Sequence, residues 1–274
     1  MKDFAFGSRT YIMGILNLTP DSFSGDGIYL DQEKAVNRAE RMAADGADII
    51  DVGGESTRPG AAPVSLEEEI KRVIPVIKKI TRSIKTPVSI DTTKPEVARQ
   101  ALDNGASIIN DVTGLEKGAG MARLAAEFDA KVVLMHMKGE PGTMQDNPVY
   151  GDLIEEIIEK LRQLAERAEA GGVKKENIIV DPGIGFGKTL EHNLEILRRL
   201  GRFKVLGRPI LVGPSRKAFI GKILGAEPDK RVFGTAGAAA VAIQNGADIV
   251  RVHDVREIKE AAAVADAITR RGNA

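Results

Sequence analysis

Ala44-Asp45-Gly46-Ala47-Asp48-Ile49-Ile50-Asp51 recurs twice without gaps, as Asp103-Asn104-Gly105-Ala106-Ser107-Ile108-Ile109-Asn110 and as Gln244-Asn245-Gly246-Ala247-Asp248-Ile249-Val250-Arg251. Each copy reads as the end of a helix, a glycine and the start of a strand. The glycine suits the left-handed position that closes a helix, and the apolar pair enters a buried wall. Working outward, short runs rich in Ile and Val occur at Tyr11–Leu16, Asp48–Val52, Val88–Ile90, Ser107–Ile109, Lys131–Met135, Asn177–Val180, Pro209–Val212 and Asp248–Val252, which makes eight expected strands. The intervening segments have helical spacing, as in Leu153, Ile157, Ile158, Leu161, Leu164 and Ala165, with charges on the opposite face. Strict alternation of near-continuous apolar strands with helices predicts a parallel sheet covered by helices. Eight such units favour a closed (β/α)₈ barrel over an open doubly wound sheet. No linker or composition break divides the chain, so residues 1–274 are expected to form a single domain.

Lys and Arg balance Asp and Glu at 39 each, which leaves no net field to gather nucleic acid or anionic membrane; any anion must be caught locally. Cysteine is absent, which excludes disulfides, thiolate zinc sites and a cysteine nucleophile. No apolar run reaches the roughly 20 residues of a membrane span, and Met1 to Thr10 lacks the apolar core of a secretory signal. A soluble, cytoplasmic protein is the expectation.

Barrel enzymes place their chemistry at the C-terminal ends of the strands. Asp51, Asn110 and Arg251 hold equivalent strand-end positions in the repeat, and three different polar groups at one structural position point to chemistry. Asp91 and Asp181 end two further strands. Two carboxylates and an amide suit a flat heterocycle with amino and ring N–H groups; alternatively, the aspartates are N-caps of the following helices. Arg251 and His253 lie two apart, on one side of the last strand, in reach of an anion or a planar ring, or else as an end charge and a packing histidine. Gly213-Pro214-Ser215-Arg216-Lys217 precedes a helical segment, where backbone N–H groups favour an anion. Pro182-Gly183-Ile184-Gly185-Phe186-Gly187-Lys188-Thr189 imitates a phosphate-binding loop but has Pro182 where its first glycine belongs; the glycines instead allow close approach to a ligand, with Phe186 as an apolar wall. His136, His192 and His253 show no metal-ligand spacing. His136 either lines the rim or helps fold the loop to Gly151. Two long loops, from Asn17 to Gly27 and from Gly53 to Gly60, have lid-like composition, and Ser56-Thr57-Arg58 can grip phosphate.

Asn17 to Ser24, Gly53 to Gly60, Asp91, Asn110-Asp111, Asp181 to Lys188, Ser215-Arg216-Lys217 and Arg251-Val252-His253-Asp254 together resemble the dihydropteroate synthase family, in its order and spacing along nearly the whole chain. The resemblance implies an enzyme that joins 6-hydroxymethyl-7,8-dihydropterin pyrophosphate to p-aminobenzoate, releases pyrophosphate and is a sulfonamide target. It implies that Asp91, Asn110, Asp181 and Lys217 hold the pterin and that Arg251 stacks on it. Asn17, Arg58 and His253 would take the pyrophosphate, with Mg²⁺ at Asn17. Thr57, Pro59, Phe23 and Phe186 would frame p-aminobenzoate, whose carboxylate falls to the Ser215 to Lys217 region. Asn17, Arg58, Lys217, Arg251 and His253 are thus the expected catalytic set. Two positions depart from the family pattern: Ala218 replaces a serine, and Ser24-Gly25-Asp26-Gly27 is reordered. A homodimer through outer helices is implied, with Ala262, Val264, Ala265 and Ile268 either core or interface. The alternatives are a pterin-dependent methyltransferase and a pterin-binding module without catalysis. Asp51 receives no ligand role beyond support of the second loop.

Overall fold

A computed structural model describes residues 4–19, 31–56, 62–118, 120–139, 144 and 147–269. Its strands are β1 Tyr11–Asn17, β2 Ile49–Gly53, β3 Val88–Asp91, β4 Ile108–Asp111, β5 Lys131–Met135, β6 Ile178–Asp181, β7 Leu211–Val212 and β8 Ile249–Val252. The helices among the described residues are α1 Gln32–Ala44, α2 Leu66–Ser83, α3 Pro95–Asp103, α4 Met121–Glu127, α5 Leu153–Ala170, α6 Leu190–Arg198, α7 Ala218–Leu224, α8 Val232–Gln244 and α9 Val255–Thr269.

All strand pairs are parallel, in the order β6-β5-β4-β3-β2-β1-β8-β7. A parallel bridge between Val180 and Ile210 draws β6 to the start of β7, and Val180 N donates to Pro209 O at 3.0 Å. The eight expected strands thus form a nearly closed barrel, with β7 shorter than the apolar run that announced it.

The repeat is a structural unit. Gly46, Gly105 and Gly246 have φ of 96°, 96° and 101°. In each copy the following alanine donates to a carbonyl five residues back, Ala47 to Met42 at 2.9 Å, Ala106 to Ala101 at 3.0 Å and Ala247 to Ala242 at 2.9 Å. That pattern closes a helix on a glycine and turns the chain into the next strand. Asp48 and Asp248, expected inside strands, precede them instead. Their carboxylates accept from Ile12 N and Ile210 N, each at 3.0 Å, tying down the open ends of neighbouring strands.

Two apolar clusters divide the strand residues by their period of two. The larger fills the shell between strands and helices. The smaller, Tyr11, Met13, Ile49, Ile108, Val133, Ile179, Leu211 and Ile249, fills the barrel floor, with Phe4 and Phe6 packed beneath. The next inward position falls two residues further along, at Ile15, Asp51, Asn110, Met135, Asp181, Gly213 and Arg251, and on β3 Asp91 stands in register with Asn110. The polar ring therefore stands directly on an apolar floor.

Candidate active site

Asp51 is the centre of that ring. Its Oδ2 accepts from Asn110 Nδ2 at 3.0 Å and from Arg251 Nε at 2.6 Å, while Arg251 Nη2 donates to Asp91 Oδ2 at 2.6 Å. The three equivalent repeat positions thus bond to one another. Asp51 is completely buried and Asp91 nearly so. Burial pushes the Asp91 carboxyl up to about 7, against the pull of Arg251 and with the repulsion of Asp51 added. Burial also works against the Arg251 charge, but Asp51 and Asp91 outweigh it and hold the guanidinium above its ordinary range. Arg251, grouped by sequence with His253, is committed to the carboxylate side.

Asp181 closes β6, and its Oδ1 accepts from Gly183 N at 2.7 Å. Burial raises its carboxyl to about 6, opposed by the Gly183 bond and by the charges of Lys217, Lys188 and Arg251. The N-cap of α3 is Lys94 and that of α6 is Thr189, so neither Asp91 nor Asp181 serves as the helix cap. Lys217 is the N-cap residue of α7, with Nζ 4.2 Å from the centre of the Phe186 ring. Gly185 allows that approach, since a Cβ there would stand 3.4 Å from Lys217 Nζ.

The β7–β8 side is different. Ser215 Oγ lies 3.0 Å from His253 Nδ1 and accepts from His253 N at 3.2 Å. Arg216, at φ 58°, is locked to Asp254 by two hydrogen bonds. His253 borders a cavity of about 470 Å³ whose lining mixes Arg38, Arg41, Arg216 and Arg256 with the carboxylates of Asp45, Asp229, Asp254 and Glu257; Asp51 and Asp91, which engage Arg251, are not among its lining. Asn17 ends β1 near Asp91: a Cβ on Gly53 would lie 3.6 Å from Asn17 Oδ1 and 3.7 Å from Asp91 Oδ2. Phe23, Thr57, Arg58, Pro59 and the reordered Ser24-Gly25-Asp26-Gly27 lie outside the described residues.

The family model described as pterin binding enzyme matches residues 13–253. The chain is 50% identical over 268 residues to the dihydropteroate synthase of Synechocystis sp., covering 97% of this chain and 93% of that one. The crystal structure of the Clostridium difficile dihydropteroate synthase in the presence of pteroic acid superimposes with a TM-score of 0.92 at 50% identity, covering 98% of this chain and all of that one. The chain belongs to the dihydropteroate synthases. The Xanthomonas albilineans synthase with 4-aminobenzoic acid is similar too, with a TM-score of 0.90 and 43% identity over 97% of this chain and 95% of that one.

Two features of this synthase barrel were not foreseen from sequence as parts of the site. Glu69 on α2 is completely buried; its Oε1 accepts from Thr92 Oγ1 at 2.6 Å and its Oε2 from Lys94 Nζ at 2.5 Å. Lys94 also holds Glu55 just beyond β2, and Arg72 Nη1 donates to Gly54 O at 2.9 Å. A buried carboxylate and the half-buried charges around it thereby anchor the chain as it leaves β2. The signal was in the sequence: Glu69 shares the apolar face of Val73, Val76 and Ile80 at helical spacing, where a lone carboxylate needs a buried partner. The second feature is Lys188, whose buried Nζ reaches His136 Nδ1 at 3.0 Å and Phe186 O at 2.9 Å. The sequence marked this lysine only through an imperfect phosphate-loop pattern. His136 is thereby a buried partner of the β6 loop.

Proposed function

We propose that this chain's polar ring performs the family's condensation, with Asp181 and Lys217 reading the pterin and the β7–β8 side and Asn17 receiving pyrophosphate. The observation that carries this reading is the buried set Asp51, Asp91, Asn110 and Asp181, bonded in part to the half-buried Arg251, on an apolar floor. A buried carboxylate such as Asp181, with one backbone N–H as its hydrogen-bond donor, is further stabilised by a ligand that presents matching N–H groups, as the 2-amino and N3 hydrogens of a pterin do. Lys217 supplies the complementary donor for O4 and N5. Arg251, held in the ring by two carboxylates, offers its guanidinium plane for stacking.

The bond from the pterin methylene carbon to pyrophosphate breaks first, and the pterin stabilises the resulting cation. The arylamine lone pair then forms the C–N bond, and its proton leaves afterwards to water or pyrophosphate. A neutral aromatic amine needs no strong general base. Holding the two reactants side by side and keeping water from the cation is the protein's contribution. The carboxylate of p-aminobenzoate falls to the Ser215–Lys217 turn, where Ala218 offers no hydroxyl.

Among the described residues no three acidic or histidine side chains gather as a metal cage. Asn17 Oδ1, close to Asp91 Oδ2 beside Gly53, is an oxygen donor of the kind Mg²⁺ takes, since that ion uses few protein oxygens and completes its shell with water and substrate phosphates. Asn17 Oδ1 would hold it beside the pyrophosphate, and when bound it neutralises charge developing on the leaving group. Among the described residues no helix is long and apolar enough to cross a membrane, and the balanced charge offers no surface field for nucleic acid. A cytoplasmic homodimer sensitive to sulfonamides completes the reading.

The test is pyrophosphate release on mixing pterin pyrophosphate, p-aminobenzoate and Mg²⁺, with each component omitted in turn. Release that requires all three is expected. Absence of release from the complete mixture would overturn the catalytic reading, and undiminished release in chelator would overturn the place given to Mg²⁺.

A further inference from the structure

We propose that Lys188 is a positioning residue for pterin recognition: from beneath the β6 loop it pins the Phe186 carbonyl to His136 and so fixes the loop that begins at Asp181. This rests on the assignment of Asp181 to the pterin.

The loop from Pro182 to Lys188 touches its neighbours through backbone alone at two places. A Cβ on Gly183 would fall 1.9 Å from His136 O, and one on Gly187 would fall 2.1 Å from Lys138 O. At those two places no side chain fits, so Ile184 anchors the loop in the apolar core and polar ties hold the rest. Gly183 N donates to Asp181, Gly185 N to Asn193 Oδ1 at 2.7 Å, Tyr150 Oη to Gly187 O at 2.8 Å, and Lys188 Nζ to Phe186 O. Lys188 is the cationic group among these, and it is 2% exposed. Its third contact, His136 O at 3.5 Å, and its bond to His136 Nδ1 reach across to the β5 loop. The ammonium donates to both carbonyls, so Nδ1 is the acceptor and His136 carries its proton on Nε2.

A buried ammonium needs a counter-charge, and here it is Asp181. Burial lowers Lys188 to about 7, with Asp181 opposing that fall and Lys217 and Lys138 adding to it. In return, Lys188 joins Lys217 and Arg251 in favouring the ionised form of Asp181. Burial and Lys188 itself keep His136 neutral, at about 2. Among the described residues, the titratable groups that act on the lysine are Asp181 on β6, Lys217 before α7 and Lys138 after β5, with His136 in direct contact.

Steady-state kinetics of Lys188→Met, Lys188→Arg and Tyr150→Phe test the inference. In Lys188→Met the KM for pterin pyrophosphate is expected to rise on the order of tenfold, from the loss of charge-assisted bonds, and the acid limb of kcat/KM should move to higher pH. Lys188→Arg keeps the charge and should restore the limb. Tyr150→Phe removes a neighbouring tie without touching charge and should leave the limb in place. A folded Lys188→Met with wild-type KM and pH profile overturns the proposal, as does a Tyr150→Phe that moves the limb equally. Should Lys188→Met fail to fold, lysine-labelled wild-type protein decides by NMR. Adding 6-hydroxymethylpterin is expected to move the Lys188 titration to higher pH, and an unmoved titration overturns the proposal. Wild-type protein that does not bind 6-hydroxymethylpterin in calorimetry would defeat the pterin assignment itself, a result distinct from equal binding by wild type and Lys188→Met.

Discussion

Asp181 keeps a carboxylate where burial disfavours its charge, with a folded-state value of about 6 against an ordinary 3.8. Between these values the folded protein holds a proton that the unfolded chain has released. Stability contributed at this position therefore falls as pH rises through that window, and stays at its lower level above about 6. Asp181→Asn retains an oxygen for Gly183 N but removes the charge. Scanning calorimetry of the ligand-free variant should show a higher Tm than wild type at pH 8 and little gain near pH 4, while calorimetric pterin affinity drops on the order of a hundredfold. A Tm that falls at pH 8 would contradict the burial argument. Asp51 has the opposite character, since it stabilises its neighbours. Asp51→Ala strands Asn110 Nδ2 and Arg251 Nε and should cost about 3 kcal/mol in denaturant unfolding, as breaking a buried ion pair does. The repeat made Asp51, Asn110 and Arg251 legible as a set. It left the mutual bonding illegible, because two of those contacts span 59 and 200 residues of sequence. The period of two likewise put Arg251 and His253 together, whereas past the end of β8 His253 turns to Ser215 and leaves Arg251 to the carboxylates.

At the scale of elements, strands and helices were legible because each buries a face with its own period, and the eight apolar runs needed only trimming at their ends. Loops were not, because what fixes them are carbonyls and distant side chains with no periodic trace. The exit from β2 shows this. Glu55, Glu69 and the Thr92–Lys94 stretch come from three separate segments, and their order along the chain does not announce a network. Lys94→Met would remove the cation beside the completely buried Glu69 and leave it the Thr92 hydroxyl. The expected result is a lower Tm together with a KM for p-aminobenzoate raised more than the KM for the pterin, because the segment released is the one leading to Thr57, Arg58 and Pro59. Equal changes in both constants would mean that the network supports the barrel generally. The β6 loop supplies a second case, since Gly183 has φ 73° and no room for a Cβ. Gly183→Ala must displace Asp181 or the β5 loop, and should lower kcat/KM by about a hundredfold while far-ultraviolet circular dichroism stays that of the native barrel.

For the whole molecule, α8 is the element that a single barrel does not explain. It contains no charged residue, and a helix apolar on every side is expected to be covered on every side. One face packs on α6, α7 and α9. The other carries Phe233, Gly237 and Val241 at four-residue spacing, with Phe233 86% exposed, and on neighbouring α9 Val264 and Ile268 are also exposed. Of the residues that sequence left open between core and interface, Ala262 and Ala265 are therefore core, and Val264 and Ile268 face outward. A Cβ on Gly237 would meet nothing within 4 Å, so this glycine lets another backbone come close. A second copy packed on α8 and α9 would bury both exposed sets about a two-fold axis. Light scattering of the wild-type chain is then expected to give about twice the 29.4 kDa of one copy, and Phe233→Glu should shift it to the single mass. The described strand-end site draws all its residues from one barrel, so the monomeric variant should keep kcat within about twofold while its Tm falls and no longer depends on protein concentration. A wild-type chain of single mass, or a Phe233→Glu variant that remains double, would assign this apolar face to something other than a second copy.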